Sequence, residues 1–282
     1  MVEVLNSGFY STIQDFGRVG VQNYGVPHSG VLDRYAASMA NILLGNDENA
    51  AVIEMTMTGA KLQFNCSTLI CLSGANMSPK LNNLFIENNK VFKVHKHDVL
   101  SFVKLESGFR SYLAVLGGFQ TETIMGSKSM YKGITAKYDL RKGDVLDVLT
   151  CSLTNTEHHA RLKIDNFYLK TSVMAVFKGP EFNLLSNEQQ DKLFSNSFTI
   201  SKENNRMAYQ LKEPLENNLK PIITSAVLPG TVQLTPSGKL IVLMRDCQTT
   251  GGYPRVLQLK EYAIDVLAQK FTGNMLNFSL KL

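Results

Sequence analysis

Apolar residues in this chain gather in short runs broken by Gly, Pro, Asn and Ser, and only a few stretches carry them at helical spacing. Lys61 to Phe64, Thr68 to Leu72, Val91 to Val94, Val99 to Val103, Ser111 to Leu116 and Val145 to Leu149 read as strands after an opening strand around Val2 to Leu5. In the last of these, Val145, Asp147 and Leu149 alternate with Leu146 and Val148, the period of a half-buried strand. Turn residues recur about every ten positions, which favours an antiparallel barrel or sandwich over a parallel α/β sheet. Leu32 to Leu44 is the exception: Leu32, Ala36, Met39, Ala40 and Leu43 fall on one helical face and Gly45 follows as a C-terminal glycine. Ser29 or Asp33 can cap its start, so its free N–H groups would face the preceding loop and could receive an anion.

The second half has the same layout. Val173 to Phe177, Phe198 to Ile200, Tyr209 to Leu211, Ile222 to Leu228 and Leu240 to Met244 are apolar runs. Ser186-Asn187-Glu188-Gln189 has the form of a capping box opening a helix through Phe194. Tyr262 to Phe271 sets Ile264, Leu267, Ala268 and Phe271 on one helical face and stops at Gly273. Residues of about 150–170 are polar and weakly patterned, which divides the chain into a domain at 1–150, a linker at 151–170 and a domain at 171–282.

Two polar stretches stand out against this background. Arg245-Asp246-Cys247-Gln248-Thr249-Thr250-Gly251-Gly252-Tyr253-Pro254 follows the buried-strand pattern of Leu240 to Met244 and delivers a carboxylate, an amide and hydroxyls at a strand exit, where Gly251 and Gly252 permit close approach. The same stretch also reads as an ordinary turn with a solvated aspartate. Thr12 to Gly30 crowds four glycines among Gln14, Asp15 and Arg18, a pattern for a compact loop that brings charge close to something. Here the alternative is an Asp15–Arg18 ion pair that only ties the loop down. Ser73-Gly74-Ala75-Asn76 and Gly117-Gly118 place further small residues at expected strand exits. His95 and His97, two apart on a strand, would share a face without an evident third metal ligand.

Composition narrows the classes. The 282 residues, 44% hydrophobic, suffice for a sizeable core, and the net charge of +5 is spread without a basic run. This distribution argues against nucleic-acid and membrane partners. No aliphatic stretch approaches the ~20 residues of a membrane span, and the N-terminus lacks a basic region followed by an apolar one, so a cytoplasmic location is expected. Cys66, Cys71, Cys151 and Cys247 form no C-x-x-C pair and read as reduced thiols. Cys247, alone among them in a polar stretch, is the one candidate nucleophile.

Taken in order, several motifs carry a resemblance. They are Thr12-Ile13-Gln14-Asp15-Phe16-Gly17-Arg18-x-Gly20, Gly25-Val26-Pro27-x-Ser29-Gly30-x-x-Asp33, Ala40-Asn41-x-Leu43-x-Gly45-Asn46, Ser73-Gly74-Ala75, Arg206-Met207, Pro229-Gly230-x-x-Gln233 and Asp246-x-Gln248-Thr249-Thr250-Gly251-Gly252-Tyr253-Pro254. This series resembles the family of the 5-oxoprolinase C subunit (KipA-type), related to the carboxyltransferase part of urea carboxylase. The resemblance implies a mainly β fold of two cyclophilin-like β-barrel domains with a few short helices. It also implies ATP-dependent opening of 5-oxo-L-proline to L-glutamate together with the A subunit of that enzyme and its KipI-like B subunit. Asn205 stands where the family usually has Asp, Ala208 replaces a Gly, and Thr235-Pro236-Ser237-Gly238 replaces a Pro-Pro-Asp-Gly turn.

Opening a lactam through a phosphorylated carbonyl calls for cations and N–H groups around phosphates and oxyanion, and for a carboxylate that places a metal or water. Asp15, Arg18 and Asp246 are the expected catalytic residues. The expected binding set is Gln14, Gly17, Ser29, Gly30, Asn41, Gly74, Ala75, Arg206, Gln233, Gln248, Thr249, Thr250, Gly251, Gly252 and Tyr253, with Gln14 to Gly30 facing Asp246 to Tyr253 across a shared cleft. No G-x-x-x-x-G-K-[ST] pattern is present, so ATP, with Mg2+, would be held differently or on a partner chain. Two further readings stay open. One is a biotin-dependent carboxyltransferase component, with biotin on another protein because this chain lacks Met-Lys-Met. The other is a binding partner of a KipI-like kinase inhibitor without catalysis of its own.

Overall fold

The computed structural model describes residues 1–149 and 164–280. Cys151 and most of the expected linker lie outside the described residues. The described residues form two compact units, one of Met1–Arg18 and Asp33–Leu169, the other of Val19–Leu32 and Lys170–Leu282. The second unit thus includes a segment from the N-terminal loop.

The first unit contains β1 (Val2–Asn6), β2 (Tyr10–Gln14), α1 (Arg34–Leu43), β3 (Val52–Thr56), β4 (Lys61–Phe64), β5 (Thr68–Asn76), β6 (Pro79–Leu81), β7 (Leu84–Phe85), β8 (Val91–Val94), β9 (Val99–Phe102), β10 (Ser107–Val115) and β11 (Val145–Leu146). They make a six-stranded sheet, β11-β1-β4-β9-β6-β7, and a five-stranded sheet, β2-β3-β10-β5-β8. Val4, Leu62, Phe64 and Leu100 from the first sheet and Ile13, Ile53, Leu72 and Leu113 from the second bury into one core. Alternation explains the register, since successive strand residues point to opposite faces. β3 is different: all five of its residues are buried, so it offers no alternation to read.

The second unit contains β12 (Val173–Lys178), α2 (Asn187–Ser195), β13 (Phe198–Asn204), β14 (Ala208–Leu211), β15 (Ser225–Ala226), β16 (Thr231–Leu234), β17 (Leu240–Leu243), β18 (Thr250–Gly251), β19 (Arg255–Leu259), α3 (Glu261–Ala268) and β20 (Met275–Ser279). Seven of these strands close a barrel in the order β12-β19-β16-β17-β14-β13-β20. All barrel neighbours are antiparallel except β12 and β20, which run parallel. Tyr209, Val232 and Val242, aligned across β14, β17 and β16, are wholly buried. The mainly β class and the short helices follow the expectation. Among the described residues no helix is long and apolar enough to cross a membrane.

The caps of α1 and α2 are written in the sequence. Asp33 caps α1, its side chain accepting from the Ala36 N–H at 2.8 Å. Ser186 and Gln189 form the capping box of α2. Other expectations need correction. Ser73 to Asn76 do not follow a strand but continue β5, because Gly74, at φ +82°, lets the strand bend without leaving the ladder. His95 and His97 sit in the turn after β8 rather than on one strand face, with His97 at φ +76°. Ile222 to Leu228 yields only the two residues of β15, since its apolar side chains do not alternate into a core: Ile223 and Leu228 are exposed.

Candidate functional site

In the second unit, the strand β17 empties into the polar stretch as its pattern suggests. Arg206, in the turn between β13 and β14, meets Asp246 with two bonds, Nε to Oδ2 at 2.8 Å and Nη2 to Oδ1 at 3.0 Å. The same Nη2 donates to the Gly30 carbonyl at 2.6 Å, and the Ser29 N–H donates to the Arg245 carbonyl at 2.9 Å. Both side chains of the ion pair are largely buried. A paired carboxylate of this kind is a clamp that fixes the loop and the incoming segment around Ser29 and Gly30. Arg245 points the other way, donating to Glu261 at 2.8 Å and lying 3.5 Å from Asp265, which pins the strand exit to α3.

Beyond the clamp, the stretch does not form a simple turn. Thr250 and Gly251 pair with Ala226 and Ser225, the Val227 N–H donates to the Thr249 carbonyl, and the Ile222 N–H donates to the Gly252 carbonyl. Leu243, Cys247 and Val227 pack together with Ala208 and Ile241 into a small apolar cluster. Burial pushes the Cys247 thiol up to about 12, with the Asp246 carboxylate adding to the rise. Buried in this apolar cluster, Cys247 serves as a packing residue rather than as the candidate nucleophile.

This second layer leaves a cavity of about 310 Å³. Its wall is the outer face of the barrel, because Ala208, Gln210, Gln233, Ile241 and Leu243 alternate with the inward Tyr209, Val232 and Val242. Glu203, Asn205, Met207, Gln248 and Tyr253 complete the lining. Gln233 is 2% exposed, and its Nε2 has no hydrogen-bond partner; Gln248 Oε1 is likewise buried without one. Of the expected binding residues the cavity brings together Gln233, Gln248 and Tyr253. Glu203 and Gln210 are not among those expected. The alternation of β14 places Gln210 on the same face as Ala208, but Glu203 lies in the part of β13 beyond Ile200 that no apolar residue marks.

In the first unit Asp15 serves a different purpose. Its carboxylate accepts from Ser127 Oγ at 2.5 Å, Ser129 Oγ at 2.6 Å, the Lys128 N–H at 2.6 Å and the Gly17 N–H at 2.9 Å. Arg18, wholly buried, donates Nη2 to the Ser129 carbonyl at 2.6 Å. Both residues hold the 127–129 segment. Gln14 donates to Thr12 and to the Met130 carbonyl. Asn41 donates to the Ala50 carbonyl at 2.8 Å and accepts from Asn46 at 3.0 Å, tying the end of α1 to the next loop. Ala75 is wholly buried, and a Cβ on Gly74 would lie 2.6 Å from the Arg110 carbonyl oxygen, so these two are packing positions. The anion expected at the start of α1 meets Asp33, whose carboxylate already fills that end.

A buried network behind Asp33 is not apparent from the sequence. Tyr112 donates to Glu54 at 2.8 Å and accepts from the Asp33 N–H at 2.9 Å, Tyr168 donates to Asp33 at 2.8 Å, and Arg110 lies 3.8 Å from Glu54. Burial and the neighbouring Glu54 and Asp33 carboxylates push the Tyr112 hydroxyl well above its ordinary value, so it stays a neutral donor. A carboxylate in the middle of an apolar strand and an arginine beside a strand-like run are the available signals.

A model of the carboxyltransferase domain, subdomains A and B, matches residues 24–280. The chain belongs to this family. The carboxyltransferase-domain match includes the whole Arg245 to Pro254 stretch and leaves Asp15 and Arg18 outside. Among curated proteins the chain is similar to the C subunit of 5-oxoprolinase from Escherichia coli, 30% identical over 99% of this chain and 90% of that protein. It is also similar to urea amidolyase of Lachancea kluyveri, 33% identical over 75% of this chain but only 12% of that protein. The solved Kluyveromyces lactis urea carboxylase matches at a TM-score of 0.86 and 25% identity, over 98% of this chain and 27% of that one. Another solved structure, at a TM-score of 0.87, is covered over 55% of its length. The chain therefore spans about half or less of these solved relatives.

Proposed function

We propose that this chain is the C subunit of an ATP-dependent 5-oxoprolinase, which with an A subunit plus a KipI-like B subunit opens 5-oxo-L-proline to L-glutamate in the cytoplasm. The observation that carries the reading is the end-to-end relation to the Escherichia coli protein, nine-tenths of which the match covers. ATP with Mg2+ would activate the lactam carbonyl by phosphorylation. The second-unit cavity does not fit a triphosphate: its lining holds Glu203 and no lysine, arginine or histidine. No group of three metal-ligating side chains occurs among the described residues. In this reading ATP and Mg2+ are held on, or shared with, a partner chain, and this chain contributes the amide-lined cavity and the Arg206–Asp246 clamp.

A second reading has an observation of its own, the relation to the urea amidolyases. In it the chain transfers a carboxyl group from biotin carried by another protein. Reconstitution separates the two. The purified chain with its A and B partners is assayed for ATP-dependent glutamate release from 5-oxoproline, and in parallel for bicarbonate-dependent carboxylation with a biotinylated carrier. Glutamate release that requires this chain supports the proposal. Full release without it would overturn the proposal and favour the binding-partner role.

A further inference from the structure

We infer that the outer-face cavity of the second unit binds the amide edge of a small uncharged lactam or ureido group, with Gln233 donating to its carbonyl oxygen and Gln248 accepting from its N–H. The inference deepens the proposed function and rests on it for the choice of a lactam.

Two side-chain amides line one cavity, Gln233 buried and Gln248 half-buried, and each has one buried atom without a partner, Gln233 its nitrogen and Gln248 its oxygen. Buried polar atoms are nearly always paired, and an unpaired one is costly. What is missing is one acceptor for Gln233 and one donor for Gln248. A single amide carries both. In a lactam or a urea the C=O and an N–H lie on the same side of the C–N bond, so one edge presents the pair together.

Other ligand classes fit less well. An anion meets the Glu203 carboxylate and no cationic side chain on the lining. A hydrocarbon would cover Ile241 and Leu243 but leave both amides unpaired. A cation would find Glu203 but leave the Gln233 nitrogen facing a like charge. A small ring with an amide edge satisfies all three surfaces, its methylenes against Ala208, Ile241 and Leu243 and its polar edge against the glutamines. The cavity lies at the lower end of the size range for small-molecule sites. If the ligand also bears a carboxylate, that group belongs on the side away from Glu203.

The wall is shaped for the Gln233 amide. A Cβ on Gly251 would come within 2.4 Å of Gln233 Nε2, so the glycine leaves the space in which this amide lies. Both unpaired atoms are closed to solvent. Ligand access therefore accompanies rotation of the terminal amides, a torsion with a broad and soft profile.

The test is binding of 2-pyrrolidinone, urea, 5-oxoproline, cyclopentanone and inorganic phosphate to the purified chain, read by saturation-transfer NMR and calorimetry. Expected are binding of 2-pyrrolidinone and urea, none of phosphate, and at least tenfold weaker binding of cyclopentanone, which has the carbonyl without the N–H. Gln233→Leu and Gln248→Leu should each weaken 2-pyrrolidinone binding at least tenfold while the melting temperature holds or rises, because each removes an unpaired buried group. Gln248→Glu, which keeps the acceptor, should retain binding. Glu203→Gln should raise affinity for 5-oxoproline more than for 2-pyrrolidinone. Equal binding of 2-pyrrolidinone and cyclopentanone, or undiminished binding by a folded Gln233→Leu chain, would overturn the assignment. Lactam binding with this signature in a chain that its A and B partners do not need for glutamate release would overturn the proposed function and leave the cavity assignment standing.

Discussion

Asp246 and Arg206 define what the polar stretch does at the scale of single residues. Its place in the sequence makes Asp246 a candidate for direct chemistry, but its carboxylate is committed to the Arg206 guanidinium, which also holds the Gly30 carbonyl. Its chemistry is positional. Arg206→Ala leaves a mostly buried carboxylate without its cation, and breaking a buried pair from one side costs about 3–5 kcal/mol. Urea denaturation of the purified chain should show that loss, and an unchanged midpoint would remove the clamp from the account. Tyr112→Phe deletes the hydroxyl that links Glu54 to the Asp33 N–H, and a loss of about 1–3 kcal/mol is expected by the same measurement. That residue could not be picked from sequence, because its importance arises from Glu54, far away in the chain, which meets it only through the pairing of β10 with β3.

At the scale of elements, the boundaries that local chemistry sets were legible. Lys61 to Phe64 and Val91 to Val94 end at turn residues and match β4 and β8 end for end, and Ser186 opens α2. Strands whose polar residues are buried were not legible. β16 reads Thr-Val-Gln-Leu with all four residues buried, since the layer of 222–227 and 248–253 covers the face that would otherwise meet solvent. β5 runs on past its expected end because of Gly74. Gly74→Ala should destabilise the first unit by more than the ~0.5–1 kcal/mol of an ordinary glycine effect, as it forces a Cβ into the left-handed region and against the Arg110 carbonyl. A melting temperature equal to the wild type would show that β5 tolerates the side chain. In the second unit, Arg255 on β19 grips Glu181 by two bonds, and its guanidinium holds the Glu181 carboxyl below the ordinary 4.5. The stabilisation is complete above that ordinary value and is lost as pH falls through the lower, folded one. Glu181→Gln should therefore flatten the acid limb of a stability–pH curve below about pH 4.5 while changing its neutral-pH slope little. A limb unchanged by the substitution would mean that the pair contributes nothing to acid sensitivity.

For the molecule as a whole, the repeated layout of many short strands with a few helices was readable, and so was the family. The path of the chain was not. Val19–Leu32 belongs with the second unit although it precedes α1, and nothing in its glycine-rich composition says which core it will join. Its docking explains why Ser29 and Gly30 recur with Arg206 and Asp246 in one series of motifs: their backbones bond to the Arg245 carbonyl and the Arg206 guanidinium. Asp15 and Arg18, a few residues earlier, belong to the first unit and do separate work there.

The central claim is that this chain is a required component of an assembly that opens 5-oxoproline. Its most direct test is the rate of ATP-dependent glutamate release by the A and B partners with and without this chain at saturating 5-oxoproline. A rate that appears only when the chain is added, and falls with Arg206→Ala at a temperature where that variant is folded, is the predicted result. Glutamate release at the full rate from the two partners alone would contradict it.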